Sequence, residues 1–270
     1  MNSSPRRALR RVLETLRLDG ISYRIAEWAK ARRLSRSDRA AFAAPAADGL
    51  PVPPAALIVL VGGETSVEAF LRGGKDVVDA MREQLRAGGG DLDACVRILD
   101  FGCGCGRVLR HLRDPDRHRQ LHGTDYNRRL IRWCRSQLPF ATFGVNALQP
   151  PLRYADAAFD LVCAFSIFTH LPESLQRAWF DELARVLAPG GFLFLTVHGV
   201  GFRHVLDAGE QRAFDAGELV VRHARMAGSN MCSAFHSVAC LQRLAAPHFT
   251  LASHQPARFG QDAVLLRRNV

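Results

Sequence analysis

The sequence predicts an α/β protein: a mostly parallel sheet wrapped by helices, with a helical extension before it. Three observations predict it. From Val96 onward, short apolar runs alternate with stretches of helical periodicity, as βα units do. The first run leads directly into a loop with glycine at 102, 104 and 106, and then into an amphipathic stretch. The last two apolar runs, 248–254 and 262–268, are joined only by the polar stretch Gln255 to Gln261. Parallel neighbours need a crossover of roughly a dozen residues or more, so these two form an antiparallel hairpin on an otherwise parallel sheet.

Taken in order, residues 5–39 show helical spacing through Leu9, Val12, Leu13, Leu16 and then Ile21, Ile25, Trp28, Ala29. Asp19-Gly20 is expected to break this stretch into two helices. Residues 43–54, rich in alanine and proline, read as a linker. The run LIVLV at 57–61 reads as a short strand, and a helix is expected from Ser66 to Leu85, ended by Gly88-Gly89-Gly90. Strands are then expected at 96–101, 120–124, 141–145, 159–165 and 192–198, with helices near 106–113, 127–137 and 173–187. Pro189-Gly190-Gly191 reads as a turn before the fifth strand. An irregular stretch, 199–235, precedes a helix near 236–246 and the terminal hairpin. The expected organisation is a basic arm and linker over 1–55 and one domain over 56–270, with 199–235 inserted as a cap.

The chain's 270 residues, 48% hydrophobic, suffice for one sizeable core. No apolar run approaches the roughly 18 residues that span a bilayer, and no signal-peptide core follows the N-terminal arginines, so a cytoplasmic protein is expected. The seven cysteines are odd in number and lack disulfide-framework or paired C-x-x-C spacing, so free thiols are expected and no metal site is indicated. The net charge is +10, with Lys30 and Lys75 the only lysines; residues 1–39 hold eleven basic and four acidic side chains, which is +7 of that total. Such an arm can meet nucleic acid, an anionic surface or an acidic partner, or simply form a solvated helix face.

The chemistry is concentrated in VRILDFGCGCGRVLRHL, residues 96–112. Glycines let a backbone turn sharply and approach a ligand closely. This loop also sits at the carboxyl end of the first parallel strand, where open α/β sheets bind ligands. A dinucleotide fingerprint would put glycine at 107, where Arg107 stands, and no Gly-Lys-Ser/Thr follows for a triphosphate. Asp100, just before the glycines, suits a ligand with a cationic amino-acid end. Asp125 closes the second strand, where a carboxylate can accept from both hydroxyls of a ribose. Asn146 and Ala147 follow the third strand and can meet an adenine edge. The fourth strand delivers Phe165 and Ser166 to the same edge of the sheet.

The region 96–198 resembles the class I methyltransferases that use S-adenosylmethionine. The pieces ILDFGCGCGRV, GTDYN, FDLVCAFSIFTHLPE and LARVLAPGGFLFLTV carry the resemblance, over a little more than a third of the chain. FGCGCGR, with FLRGGKDVVDAMREQL before it and QDAVLLRR at the end, resembles bacterial small-molecule or glycan-cluster members. The resemblance implies a three-layer Rossmann-like sandwich with seven strands in the order 3-2-1-4-5-7-6, strand 7 antiparallel. It implies that Asp100, Gly102 and Gly104 line the methionine end of S-adenosylmethionine, with Phe101 and Cys103 in the same binding loop. Asp125 then holds the ribose, Tyr126 packs on the adenine, Asn146 and Ala147 flank it, and Phe165 and Ser166 complete the pocket. The product is S-adenosylhomocysteine.

Methyl transfer from a sulfonium needs alignment above all, and a base only where the acceptor must lose a proton. His170, His198 and His236 are the candidate bases, with His170 also a candidate cap for the helix near Glu173. Met226, Met231 and Phe235 of the insertion can line an acceptor pocket or form the insertion's own core, and Tyr23 and Trp28 can supply another wall or meet a partner. The expected acceptor is a hydroxyl or amine of a small molecule such as a sugar or natural product. Alternatives are a methyltransferase docking RNA through the basic arm, and a non-catalytic binder of S-adenosylmethionine. Nucleic acid is disfavoured by the lack of an Asn/Asp-Pro-Pro-Tyr string after the fourth strand and of interleaved arginine and aromatic residues.

Overall fold

The computed structural model describes residues 19–62, 66–114, 116 and 118–270. The helical positions Leu9, Val12, Leu13 and Leu16 of the basic arm, and the side chain of Tyr23, lie outside the described residues. Two compact units divide at Arg72 and Gly73.

In the first unit, α1 (Asp19–Ser37) packs against α2 (Ala55–Gly62), and α3 (Val67–Ala87) begins. The run 57–61, expected as a strand, is helical. A short all-apolar run carries no period that separates strand from helix. Here Pro53 and Pro54 precede it, prolines suit a helix start, and the Pro54 carbonyl accepts from Leu57 and Ile58. The Asp38 carboxylate accepts the Val67 N–H at 2.6 Å, giving α3 a capped start.

In the second unit a seven-stranded sheet is built from β1 (Arg97–Phe101), β2 (Gln120–Asp125), β3 (Thr142–Val145), β4 (Phe159–Ala164), β5 (Leu187–Val197), β8 (Phe249–Gln255) and β9 (Asp262–Arg268). Its order is β3-β2-β1-β4-β5-β9-β8. The first five strands are parallel, and β9 runs antiparallel to both β5 and β8, as the short terminal loop requires. With the separate ribbon of β6 (Val220–Arg222) and β7 (Ser233–Phe235) left out of the count, this is the expected 3-2-1-4-5-7-6. The remaining helices are α4 (Leu109–Leu112), α5 (Arg128–Gln137), α6 (Glu173–Val186), α7 (Ala208–Asp215) and α8 (Val238–Ala245). The main core lies where alternate residues of the sheet (Leu99, Phe101, Val162, Ala164, Leu195, Val264) meet Trp179, Phe180 and Leu183 of α6 and Leu241 and Leu244 of α8.

Three expectations are corrected. Helix α4 is shorter than 106–113, because positive-φ glycines continue to Gly106 and delay its start. Pro189-Gly190-Gly191 is not a turn before β5 but a bulge inside it: Phe159 faces Leu187 while Leu161 already faces Phe192, and Gly190 at φ +75° absorbs the extra residues. The stretch 199–235 is not irregular. It holds α7, closed by an Asp207–Glu210 capping box, and an antiparallel ribbon of β6 (Val220–Arg222) and β7 (Ser233–Phe235). Its own core is Leu206, Phe214, Val220 and Phe235, and a bridge between His198 and Phe235 joins the ribbon to the end of β5. Among the described residues no helix is long and apolar enough to cross a membrane, and all seven cysteines are free and buried.

Candidate functional site

The glycine loop is bound to the end of β2. Gly102 and Cys103 both donate their N–H to the Thr124 carbonyl, at 2.7 and 2.9 Å. Gly102 has φ +78°, and a side chain there would collide with Ile167, so this position needs glycine on both counts. Gly104 donates its N–H to Asp125 Oδ2 at 3.0 Å, and Asp125 Oδ1 accepts the Asn127 N–H at 2.7 Å. The helix cap is Asn127, whose side chain accepts from Arg129. Asp125 is thereby aimed at the loop. Burial raises its pKa, opposed by the two backbone donors.

A cleft opens above these strands, enclosing about 450 Å³ of space that includes open solvent. Six residues singled out in the sequence meet there: Phe101, Gly102, Asp125, Tyr126, Asn146 and Ala147. His170 joins them. Leu148, Ile167, Leu171, Trp179 and Gly228 also line it and were not foreseen. The Trp179 ring lies 4.4 Å from Phe101 and its indole N–H donates to the Leu148 carbonyl at 3.0 Å, which sets the apolar floor. Tyr126 is half exposed at the mouth, and Asn146 Oδ1 is buried without a hydrogen-bond partner among the described residues.

Asp100, Cys103, Gly104, Phe165 and Ser166 do not line this cleft. Asp100 is 2% exposed, and its Oδ2 has no hydrogen-bond partner among the described residues. Burial pushes its pKa up to about 7, against the pull of the Arg107 guanidinium. Phe165 has that guanidinium over its ring, 5.1 Å from the ring centre, and meets Phe259 edge-on at 5.3 Å. Ser166 has φ +59°, a strained conformation held by its surroundings. Its N–H donates to Thr196 Oγ1 at 2.8 Å, its Oγ accepts from Gln261 Nε2 at 2.9 Å, and Thr196 Oγ1 donates back to Gln261 Oε1. The Cys103 thiol is raised well above its ordinary range by burial.

The three histidines separate by their partners. Gln176 donates its Nε2 to the Phe168 and Leu171 carbonyls, so its Oε1 faces His236, and His236 Nε2 must carry the proton of that 2.9 Å bond. His236 is 1% exposed and burial lowers its pKa to about 3. It is a neutral core histidine. His198 lies against Phe202 and Phe235, its pKa lowered to about 4 by burial and then by His170. His170 faces the cleft. Its Nδ1 lies 2.8 Å from the Cys232 carbonyl, which can only accept, so Nδ1 carries the proton and Nε2 the lone pair. Burial lowers its pKa from the ordinary value. It does not cap α6, which begins after Pro172. The His170 carbonyl instead accepts the Gly228 N–H at 2.8 Å, tying the insertion to the cleft wall. Phe235 belongs to the insertion's core, and neither Met226 nor Met231 lines the cleft.

Residues 98–191 match the family model described as a methyltransferase domain. The fold is similar to that of an S-adenosylmethionine-dependent methyltransferase from Methanosarcina mazei, at TM-score 0.50 and 19% identity over 64% of this chain and 92% of that one. It is similar to 1,6-didemethyltoxoflavin-N1-methyltransferase from Burkholderia thailandensis, at TM-score 0.51 and 16% identity over 75% and 80% of the two chains. It is also similar to human N-acetylserotonin methyltransferase, at TM-score 0.51 and 12% identity over 74% and 55%.

Proposed function

We propose that this chain, which carries a methyltransferase domain over residues 98–191 on a sheet of class I order, takes S-adenosylmethionine as its cofactor and moves the methyl group to a hydroxyl or amine of a small molecule, with sugars and natural-product-like compounds as the acceptor class. The observation that carries the reading is the cleft floor, where Asp125 is fastened to the glycine loop through Gly104 and still has lone pairs to offer.

The residues present fit that cofactor. Asp125 would take the ribose hydroxyls, Tyr126 and Leu148 would cover the adenine, and the unpartnered Asn146 Oδ1 would meet its amino edge. Gly102 lines the cleft without a Cβ, and Gly104 follows it along the loop, where the methionine end would lie. When bound, the cofactor supplies a methyl group on a sulfonium, which needs no activation by the protein. The chain's task is then to align an acceptor and remove its proton. His170 Nε2 is the lone pair suited to that removal, since Nδ1–H is engaged by Cys232 and burial keeps the ring neutral. His198 stands behind it, with ring centres 6.3 Å apart, and His236 is a positioning residue held by Gln176.

The inserted segment 199–235 acts as a cap. Gly228 places its tip in the wall of the cleft beside Leu148, so it covers the adenosine side as well as the acceptor side. The fold is shared with enzymes whose names specify small acceptors, a didemethyltoxoflavin and N-acetylserotonin, which supports the same acceptor class here. Calorimetry with S-adenosylmethionine, S-adenosylhomocysteine and NAD tests the reading. Binding of the first two alone is expected; tight NAD binding, or no adenosyl binding, would refute it.

A second reading has one observation in its favour. On α1, Trp28 is 62% exposed with Arg32 over its ring at 5.2 Å, and Arg33 and Arg36 are exposed nearby. Such a face suits a polyanionic macromolecule. RNA binding that falls steeply with salt and disappears on deleting residues 1–39 would establish it.

A further inference from the structure

We infer that Gln261, just before β9, is a positioning residue of the methyl-transfer site: with Thr196 it holds Ser166 in a strained turn, and that turn sets Ile167 and His170 in the cleft. The inference deepens the reading proposed above and rests on it for what the cleft binds and what His170 does.

Ser166 stands two residues past the end of β4, at φ +59°. Side chains with a Cβ rarely adopt this conformation, whereas glycine adopts it freely. Three residues hold the serine there. Its N–H donates to Thr196 Oγ1 of β5 at 2.8 Å, its carbonyl accepts from Thr169 Oγ1 at 2.8 Å, and its Oγ accepts from Gln261 Nε2 at 2.9 Å. Thr196 Oγ1 passes its own proton to Gln261 Oε1 at 2.6 Å. That bond fixes the amide: its oxygen faces Thr196, so its nitrogen faces Ser166. Ser166, Thr196 and Gln261 thus close a cycle of hydrogen bonds in which every donor is determined. Thr196 and Thr169 are fully buried, where satisfied polar groups rigidify their surroundings. The serine hydroxyl is the handle by which Gln261 holds the turn; a glycine there would relieve the strain and offer Gln261 nothing.

Gln261 is itself fixed. In the β5–β9 ladder Asp262 pairs with Val197, and Ala263 with Thr196. The buried Asp262 carboxylate accepts the Ala257 N–H at 3.0 Å and lies 2.8 Å from His254 Nε2, so the hairpin turn is tied to its own base. Phe259 donates its N–H to the Gln261 carbonyl at 3.2 Å. The Gln-Asp pair that opens QDAVLLRR therefore divides two tasks: Asp262 locks the turn and Gln261 reaches across to β4 and β5.

The held turn points at the cleft. Ile167, the next residue, lies so close to Gly102 that a Cβ there would come 2.0 Å from Ile167 Cδ1. His170 donates its N–H to the Ile167 carbonyl at 3.0 Å, and both residues line the cleft. Relaxing φ at Ser166 would carry the two off the glycine loop together.

The test compares Gln261→Leu with the double variant Gln261→Leu/Ser166→Gly, each as the full chain. One readout is S-adenosylhomocysteine affinity by calorimetry. The other is the titration midpoint of the His170 ring by nuclear magnetic resonance, assigned with His170→Asn. His198 at the end of β5, the Cys232 carbonyl of the insertion, and Asp125 and Tyr126 across the cleft surround that ring, and burial holds its pKa below 6.5. Gln261→Leu is expected to lose roughly 5- to 10-fold in affinity, the worth of about one hydrogen bond, and to move the His170 midpoint up toward 6.5 as water reaches the ring. Ser166→Gly takes the same φ without strain and should recover part of both effects in the double variant. Thr196→Val should reproduce Gln261→Leu, and combining the two should add little, since either one opens the same cycle. A His170 midpoint unmoved by Gln261→Leu, or a loss that Ser166→Gly does not recover, overturns the inference: a residue that only stabilised the hairpin would lower the melting temperature and give those results. A wild type that binds no S-adenosylhomocysteine refutes the cofactor, and the His170 midpoint then decides for or against Gln261 by itself.

Discussion

Asp125 Oδ2 accepts the Gly104 N–H at 3.0 Å, so the end of β2 and the middle of the glycine loop are one piece. The other oxygen holds Asn127, which opens α5. Asp125→Ala therefore removes the acceptor of two backbone donors as well as the proposed ribose ligand. Each donor left unsatisfied costs about 1–3 kcal/mol where it is buried. The expected outcome is a lower melting temperature and at least a roughly 100-fold loss of S-adenosylhomocysteine affinity, with Asp125→Asn in between. Unchanged affinity in the Asp125→Ala variant, read by calorimetry, would remove Asp125 from the binding site.

Asp100 carries a pH-dependent share of the fold's stability. Its folded pKa of about 7 lies above the ordinary 3.8, chiefly through burial. A raised folded pKa means that stability present below pH 4 is lost as pH rises through about 7. The loss approaches a few kcal/mol, since each pKa unit is worth about 1.4 kcal/mol. Asp100→Asn, which cannot ionise, should melt higher than the wild type at pH 8, and the gap should close toward pH 4. Cofactor affinity of the wild type should rise with pH up to about 7 as Asp100 ionises, and this slope should vanish in the variant. Thermal melts from pH 4 to 8 and calorimetry across the same range check both; an Asp100→Asn variant less stable than wild type at pH 8 contradicts the account.

How much of this was legible before the structure depends on whether neighbours in sequence carried the signal. The β1 run, the 102–106 glycines, Asp125 and the terminal hairpin are local patterns, and each stands where the spacing puts it. The 57–61 run failed because five consecutive apolar residues have no period to read. Ile167 and Trp179 line the cleft, yet in sequence they look like any apolar residue of a βα unit, because only the facing Gly102 and Phe101 reveal their role. Gly228 reaches the cleft through a fold of the insertion that no short-range pattern encodes. The histidines were equivalent by position, and partners distant in sequence, Cys232 and Gln176, separate them.

The tip of the 199–235 insertion is a point where a single methyl group should be felt. Gly228 has φ +79°, and a Cβ there would approach Leu148 Cδ1 to 2.6 Å. Left-handed backbone costs a non-glycine residue roughly 1–2 kcal/mol, and Leu148 would have to move into the cleft. Gly228→Ala should weaken S-adenosylhomocysteine binding by about tenfold with a faster off-rate, while its melting temperature falls only slightly, because the insertion has its own core in Leu206, Phe214, Val220 and Phe235. Stopped-flow release of the product measures it. Identical release from variant and wild type would place the cap tip outside the cofactor path.

The final test is of His170 as base. Its proton is on Nδ1, fixed by the Cys232 carbonyl, and its Nε2 lone pair is available to the cleft. Burial depresses its pKa below 6.5, so the ring is neutral and competent at pH 7, and the rate should fall only as pH drops below that range. With an acceptor found by screening hydroxyl and amine compounds for S-adenosylhomocysteine release, the pH profile should show an acid limb below 6.5 and a plateau above it. His170→Asn keeps a donor for Cys232 but has no basic nitrogen. It should lose about 10²- to 10⁴-fold in kcat, keep its cofactor affinity, and lose the acid limb. If the limb persists in His170→Asn and disappears in His198→Asn, the proton goes to His198. If kcat is unaffected by either substitution, transfer proceeds by alignment alone, and the histidines serve to seat the cap.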